Sequence, residues 1–302
     1  MSRTVLLTGA SGFIGSHLGP ALVAAGYGVR AMTRHPDRYR GPGIPVAGDV
    51  ADLASLRHAV CGVDAAYYLV HSLASQDFEE RDARGAANFA AACAESAVER
   101  IVYLGGLGAD GARLSAHLRS RRSVERLLRA GPVPVTVLRA AVVVGDGSIS
   151  WEITRQLVDR LPALVTPRWV NTRTQPIALC DVIRYLVGVL EPAAARDRVF
   201  EIGGPDVLRY IDMLERVAAL RGKWLPNVTV PLLTPRLSSA WLALVTDVDL
   251  ATARNLVDSM INEVVVREDS IYDVVPGRCL SFEEAVRVAL ADREARLAAP
   301  RR

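Results

Sequence analysis

The sequence predicts an α/β fold, a doubly wound parallel sheet with a smaller C-terminal layer. Over the first two-thirds of the 302 residues, short β-branched runs alternate with longer helical patterns, as in βαβ units around a parallel sheet. A glycine-rich turn stands between the first strand and the first helix, where such a fold places one. After Gly145-Asp146-Gly147 the alternation loosens, so the later residues belong in part to another layer.

Taken in order, Arg3 to Thr8 is expected as the first strand, Phe13 to Ala25 as a helix bent at Pro20, and Gly28 to Thr33 as the second strand. A strand near Pro45 to Ala47 leads to a helix from Leu53 to Cys61, with Asp52 as its N-cap. Strand Ala65 to His71, a long helix from about Phe78 to Ala97, strand Arg100 to Leu104, a helix around His117 to Ala130 and strand Val133 to Val144 complete most of the sheet. A helix near Ile149 to Arg160, a Pro-flanked segment through Trp169, a helix from about Leu179 to Glu191 and strand Val199 to Ile202 follow. Beyond Asp206 come helices near Tyr210 to Arg221 and Ala251 to Ser259, and a last helix announced by the capping box Ser281-x-x-Glu284. The expected division is residues 1–147 plus about 175–205 as one domain, and about 148–174 plus 206–302 as the smaller region.

Composition narrows the chemistry. Half the residues are hydrophobic and 23% are charged, which excludes collagenous, disordered and fibrous classes. Lys223 is the single lysine among 36 basic residues, so a P-loop phosphate lysine or a Schiff-base lysine near the N-terminus is ruled out. The net charge of +3 is carried by scattered arginines, so nucleic acid is not an expected partner. Cys61, Cys93, Cys180 and Cys279 form no CxxC pair, and the N-terminal residues run into folded sequence without a secretory pattern. The expectation is a cytoplasmic protein with four free thiols, no metal site and no membrane span.

The strongest motif is Thr8-Gly9-Ala10-Ser11-Gly12-Phe13-Ile14-Gly15. Gly9 permits the tight turn, Gly12 lets backbone amides approach a pyrophosphate, and Gly15 allows close packing of helix on strand. The candidate cofactor contacts are therefore Gly9, Ser11, Gly12, Phe13, Ile14 and Gly15. Arg34 stands where an enzyme that binds the ribose 2′-hydroxyl would carry Asp or Glu, and its guanidinium can take a 2′-phosphate, which favours NADP (NADPH) over NAD. Asp49, followed by Val50, is placed either to meet the adenine amino group or to make a simple turn.

These residues resemble the short-chain dehydrogenase/reductase superfamily, in particular its extended and atypical branch with the NmrA-like NAD(P)H-binding proteins. The resemblance spans roughly residues 3 to 205, through TGASGFIG, GDVAD at 48–52, Asp82-x-x-Gly85-x-x-Asn88, VTVLRAAVVVG at 135–145 and FEIGGPD at 200–206. It implies a Rossmann sheet with a substrate layer, a nicotinamide cofactor and hydride transfer. It also implies a Ser or Thr after the fifth strand and a Tyr-x-x-x-Lys pair on the next helix, and the sequence departs from all three. Gly105 and Gly106 stand after the strand, and His117-x-x-x-Arg121-x-x-x-Glu125 occupies the helix register.

An imidazole near its usual pKa could serve as the acid in place of the tyrosine, and Arg121 one turn on could hold a hydroxyl or a developing oxyanion. The ordinary alternative for Ser115 and His117 is helix capping. The candidate catalytic residues are His117, Arg121 and Ser115, with Gly105 leaving room beside the nicotinamide. Val70, His71 and Ser72 at the end of the fourth strand either meet the ribose or substrate, or simply end the strand. Trp151, Arg168, Trp169, Arg173 and Gln175 are candidate substrate contacts whose alternative is the core.

Two classes of function remain open at this stage. One is an NADP-dependent oxidoreductase acting on a small carbonyl or unsaturated organic substrate. The other is a non-catalytic NADP(H) sensor of NmrA-like type, motivated by the missing Ser, Tyr and Lys. A redox-neutral epimerase or lyase using bound cofactor is a variant of the first.

Overall fold

A computed structural model describes residues 3–73, 75, 77–109, 114–166, 168–229, 242 and 244–299. Seven parallel strands form the central sheet. They are β1 (Thr4–Thr8), β2 (Gly28–Thr33), β3 (Ile44–Ala47), β4 (Ala65–Tyr68), β5 (Arg100–Gly106), β6 (Val135–Ala140) and the later Val199–Ile202, here β11. Their spatial order is β11-β6-β5-β4-β1-β2-β3, so the winding direction reverses between β1 and β4. The inner strands are covered on both faces, as Val135–Ala140 is buried throughout, whereas the edge strand β3 is largely exposed.

Helices α1 (Phe13–Ala24) and α6 (Leu179–Gly188) cover one face, through Leu18, Leu22, Val182 and Leu186. Helices α2 (Leu53–Val60), α3 (Phe78–Ala94) and α4 (Ala116–Arg129) cover the other, through Leu56, Phe89, Val124 and Leu128. Helix α1 runs on through Pro20. The Asp52 cap is present, its carboxylate accepting from Ala54 N at 3.0 Å.

The strand expected over Val133 to Val144 divides in two. Val135–Ala140 stays in the sheet, whereas β7 (Val143–Val144) leaves it and pairs with β10 (Ile177–Ala178). An unbroken run of valine and alanine has no residue that marks this change of partner. Two further pairs, β8 (Leu164–Thr166) with β13 (Asn227–Thr229) and β9 (Arg173–Thr174) with β12 (Leu208–Arg209), lie beside the second layer.

A separate apolar core joins Trp151, Val158, Ile211, Val217, Phe282 and Val286. It is built from α5 (Ile149–Arg160), α7 (Tyr210–Leu220), α8 (Leu250–Ser259) and the last helix, α10 (Phe282–Ala298). The capping box of α10 is formed by Ser281 and Glu284. Between α8 and α10, the short helix α9 (Ile271–Val274) returns Ile271, with Val275 and Cys279, to the core of the main sheet. Lys223 caps the end of α5, its Nζ donating to Val158 O at 3.1 Å and Asp159 O at 2.8 Å.

The tightest point of the fold is the first turn. Gly9 has φ +67°, and a Cβ on Gly15 would overlap the Gly9 carbonyl oxygen and press on Ala10 Cα. Both obstacles are backbone, so neither can swing away. Thr8 secures the same turn from below, donating to Tyr67 O at 2.8 Å and accepting from Leu69 N at 3.1 Å. Gly15→Ala is expected to lower folding stability by about 2 kcal/mol, read as a shift in urea midpoint at unchanged slope.

Candidate cofactor site and catalytic wall

Ligands of open α/β sheets gather beyond the carboxyl ends of the strands, where the winding reverses. A cavity of about 570 Å³ opens there. It is lined by Gly9, Ser11, Gly12, Arg34, Asp49, Val50, Val70 and His71 among the expected residues. Phe13, Ile14, Gly15 and Gly105 are not in its lining. Gly15 is spent on the helix-to-strand contact, and the Phe13 ring packs edge-on against His17 at 5.7 Å.

The phosphate end of the cavity has a bare helix terminus. Helix α1 starts at Gly12 with no side-chain cap and no acidic residue in its first turn. Helices α2, α4, α8 and α10 are capped by Asp52, Ser115, Asp249 and Ser281, whereas α3, α5 and α6 share the uncapped start of α1 but lack its glycine cradle. Uncapped amides beside a glycine cradle fit the pyrophosphate of a dinucleotide. Arg34 is exposed at the cavity wall and has no ion-pair partner among the described residues, which leaves its guanidinium available to an anion. Asp49 makes the turn, accepting from Ala51 N at 2.9 Å, and lines the cavity as well.

Arg81 and Arg84 also line this cavity, and motif reading did not identify either. Their spacing of three on the first half of a helix was the available signal. Asn88 anchors the adjoining loop by donating to Val50 O at 3.0 Å. Ile149 and Thr252 reach the cavity from the second layer; neither lies in a motif.

Behind the other end of the cavity, outside its lining, a buried cluster is organised by Asp82. Its buried carboxylate accepts from Ser72 N at 2.8 Å and Ser120 Oγ at 3.0 Å, and pairs with Arg121 at 3.4 Å. Arg121 is 8% exposed, and its Nε–H is buried without a hydrogen-bond partner among the described residues. Glu125 turns away to a buried bidentate pair with Arg139, at 2.6 and 2.9 Å. The helix register therefore divides into Arg121, facing Asp82, and Glu125, holding helix to strand.

His117 is half-buried, with Nδ1 3.2 Å from Ser259 Oγ on α8. Burial pushes its pKa down to about 3, with the charge of Arg121 and then His71 adding to the effect. His71 is accessible through the cavity but ringed by protein. Desolvation and then Arg121 lower its pKa to about 4, against a smaller opposing pull from Asp82. Both shifts favour the neutral imidazole at pH 7, in which one ring nitrogen donates and the other accepts, so neither ring supplies a ready imidazolium acid there.

Ser115 serves as the N-cap of α4, accepting from Leu118 N at 3.3 Å, and contacts Ser259 Oγ at 3.1 Å. Like His117 and Arg121, it lies behind the cavity rather than in its lining. Gly105 and Gly106 end β5 instead of following it. A Cβ at Gly105 would meet the Tyr103 ring, and one at Gly106 would meet Leu118 and Arg121. The glycine pair thus makes room for protein side chains on its own side of the strand.

The candidate substrate residues of the second layer are mainly structural. Trp151 is fully buried, Arg173 pairs with Glu263, and Gln175 bonds Gly204 O and Val266 N. The side chains of Arg168 and Trp169 lie outside those described. Among the described residues no helix is long and apolar enough to cross a membrane, and no His, Cys, Asp and Glu group could hold a metal. The four cysteines are free thiols.

A family described as NAD(P)H-binding matches residues 9–163. The chain belongs to this family. It is 26% identical over 231 residues to a (4-alkanoyl-5-oxo-2,5-dihydrofuran-3-yl)methyl phosphate reductase from Streptomyces griseus, covering 72% of this chain and 74% of that one. A 2-alkyl-3-oxoalkanoate reductase from Stenotrophomonas maltophilia is 30% identical over 184 residues, 52% of this chain and 54% of its own length. The chain thus spans only about half of that second relative. The fold is shared with an NADPH-dependent quinone oxidoreductase from Escherichia coli solved with NADPH, at TM-score 0.77 and 18% identity, over 94% of this chain and 98% of that one.

The histidine shifts carry a pH signature. A pKa lowered on folding means that the unfolded chain binds the extra protons, so stability is complete above about pH 6.5 and declines as pH falls toward 4. Denaturant midpoints between pH 4 and 7 should show this slope. Replacing both His71 and His117 by Gln should flatten it.

Proposed function

We propose that this family member is an NADP(H)-dependent reductase of the atypical, NmrA-like kind, working in the cytoplasm on a small organic carbonyl or unsaturated substrate. The carrying observation is the continuous cavity that runs from Arg34 and Asp49, past the bare start of α1, to His71. The reductase names of the two relatives support the class of reaction.

When bound, a nicotinamide supplies the hydride. The chain's own groups do the rest. The amides at the start of α1 and the Gly9–Gly12 cradle hold the pyrophosphate, and Arg34 takes the 2′-phosphate. From behind the cavity lining, Arg121, held by Asp82, provides fixed positive charge toward the end where negative charge would grow on a substrate oxygen. A neutral His117 orients a hydroxyl by accepting from it, so the proton that completes reduction comes from water in the cavity.

The low histidine pKa values favour a second reading, in which NADP(H) is bound and sensed without turnover. One experiment separates the two. Calorimetry with NADPH, NADP, NADH and NAD should give tightest binding for the phosphorylated pair. Arg34→Ala should weaken NADPH by about 10- to 100-fold while leaving NADH within threefold. NADPH oxidation against carbonyls and quinones should then proceed in wild type and fall at least tenfold in Arg121→Leu at unchanged NADPH affinity. Binding without oxidation of any substrate selects the sensor, and absence of binding removes both readings.

A further inference from the structure

We infer that Ser259, on α8, is a positioning residue that holds the His117 ring in its Nδ1–H tautomer, leaving Nε2 as a bare acceptor. The inference rests on the reading of His117 as part of the catalytic wall. Ser259 Oγ has three neighbours: Asn255 O at 2.8 Å, Ser115 Oγ at 3.1 Å and His117 Nδ1 at 3.2 Å. A serine hydroxyl has one proton to give and two lone pairs. The carbonyl of Asn255 can only accept, and it is the nearest of the three, so the Ser259 proton goes there.

The remaining two contacts must then donate to Ser259. Ser115 can do so, because its own oxygen already accepts from Leu118 N at 3.3 Å. His117 can do so only with a hydrogen on Nδ1. The assignment leaves no group in the set unsatisfied. Ser259 is also the last residue of α8, and the negative end of a helix favours a donor N–H turned toward it.

The anchor on the opposite side is independent of the imidazole. Asn262 Oδ1 accepts from Ser115 N at 2.9 Å, and Asn255 Nδ2 donates to Leu73 O at 3.1 Å on the cavity rim. Helix α8 is therefore registered against both α4 and the exit of β4, which fixes where Ser259 meets the ring. A neutral histidine carries its proton on only one of two ring nitrogens, so a fixed acceptor at Nδ1 decides which one.

The test is 15N-histidine NMR of the whole protein at pH 7, with the His117 signals identified by their loss in His117→Gln. The expected spectrum has a pyrrole-type Nδ1 and a pyridine-type Nε2 at His117. Ser259→Ala should convert it to a mixture or to the opposite tautomer, while Ser259→Thr and Ser115→Ala keep the wild-type form. In turnover, Ser259→Ala should lower kcat about tenfold with KM for NADPH within twofold, and Ser259→Thr should restore it. An Nε2–H tautomer in wild type, a tautomer indifferent to Ser259→Ala, or full kcat in that variant overturns the inference. If wild type has no turnover yet the tautomer responds as expected, the tautomer assignment stands and the reductase reading fails.

Discussion

A single buried carboxylate ties the cavity to the helix behind it. Asp82 receives the backbone amide of Ser72, the hydroxyl of Ser120 and the guanidinium of Arg121, and so joins the exit of β4, α3 and α4 at one point. Breaking a buried pair of this kind leaves a charge without compensation, which costs more than the pair contributes when whole. The position of the chain beside His71 and the orientation of Arg121 descend from this arrangement, whereas the low pKa of both imidazoles comes first from burial and then from Arg121, with Asp82 pulling the other way at His71. The site is therefore a property of how three elements meet, and only secondarily of the residues that line it.

Much of the architecture was legible because it is local. The turn from Thr8 to Gly15 declares itself by glycine spacing, and the caps at Asp52 and Ser281 by residue type two and three places before the helical amide they meet. The second strand, helix Ile149–Arg160 and strand Val199–Ile202 follow from periodicity and punctuation. The run from Val133 to Val144 misled, since valine suits either sheet and nothing in the side chains records that β7 changes partner at Ala141 and Val142. The main-sheet role of Ile271, Val275 and Cys279 was equally silent, being decided by packing alone.

The candidate site divides the same way. Gly9, Ser11, Gly12, Arg34, Asp49, Val50, Val70 and His71 converge on one cavity because each sits at a strand end that the parallel sheet brings to one edge. His117, Arg121 and Ser115 could be named from their register, but their chemistry could not. The pKa of a histidine depends on burial and on a guanidinium four residues away, and the partner that sets its tautomer lies 142 residues further on. Long-range hydrogen bonds of this kind have no periodicity to read.

The arginine-rich composition has a further outcome at the end of α5. Lys223 is the one side-chain amine in 302 residues, and it is occupied as a helix-end clasp on Val158 and Asp159. Reagents and modifying enzymes that acylate amines thus meet a surface of guanidinium groups they do not touch. The single side-chain amine they could reach would first have to let go of the helix it closes. A fluorophore or cross-linker aimed at lysine would act as a site-specific probe of that one seam, between the second layer's α5 and the chain that follows α7.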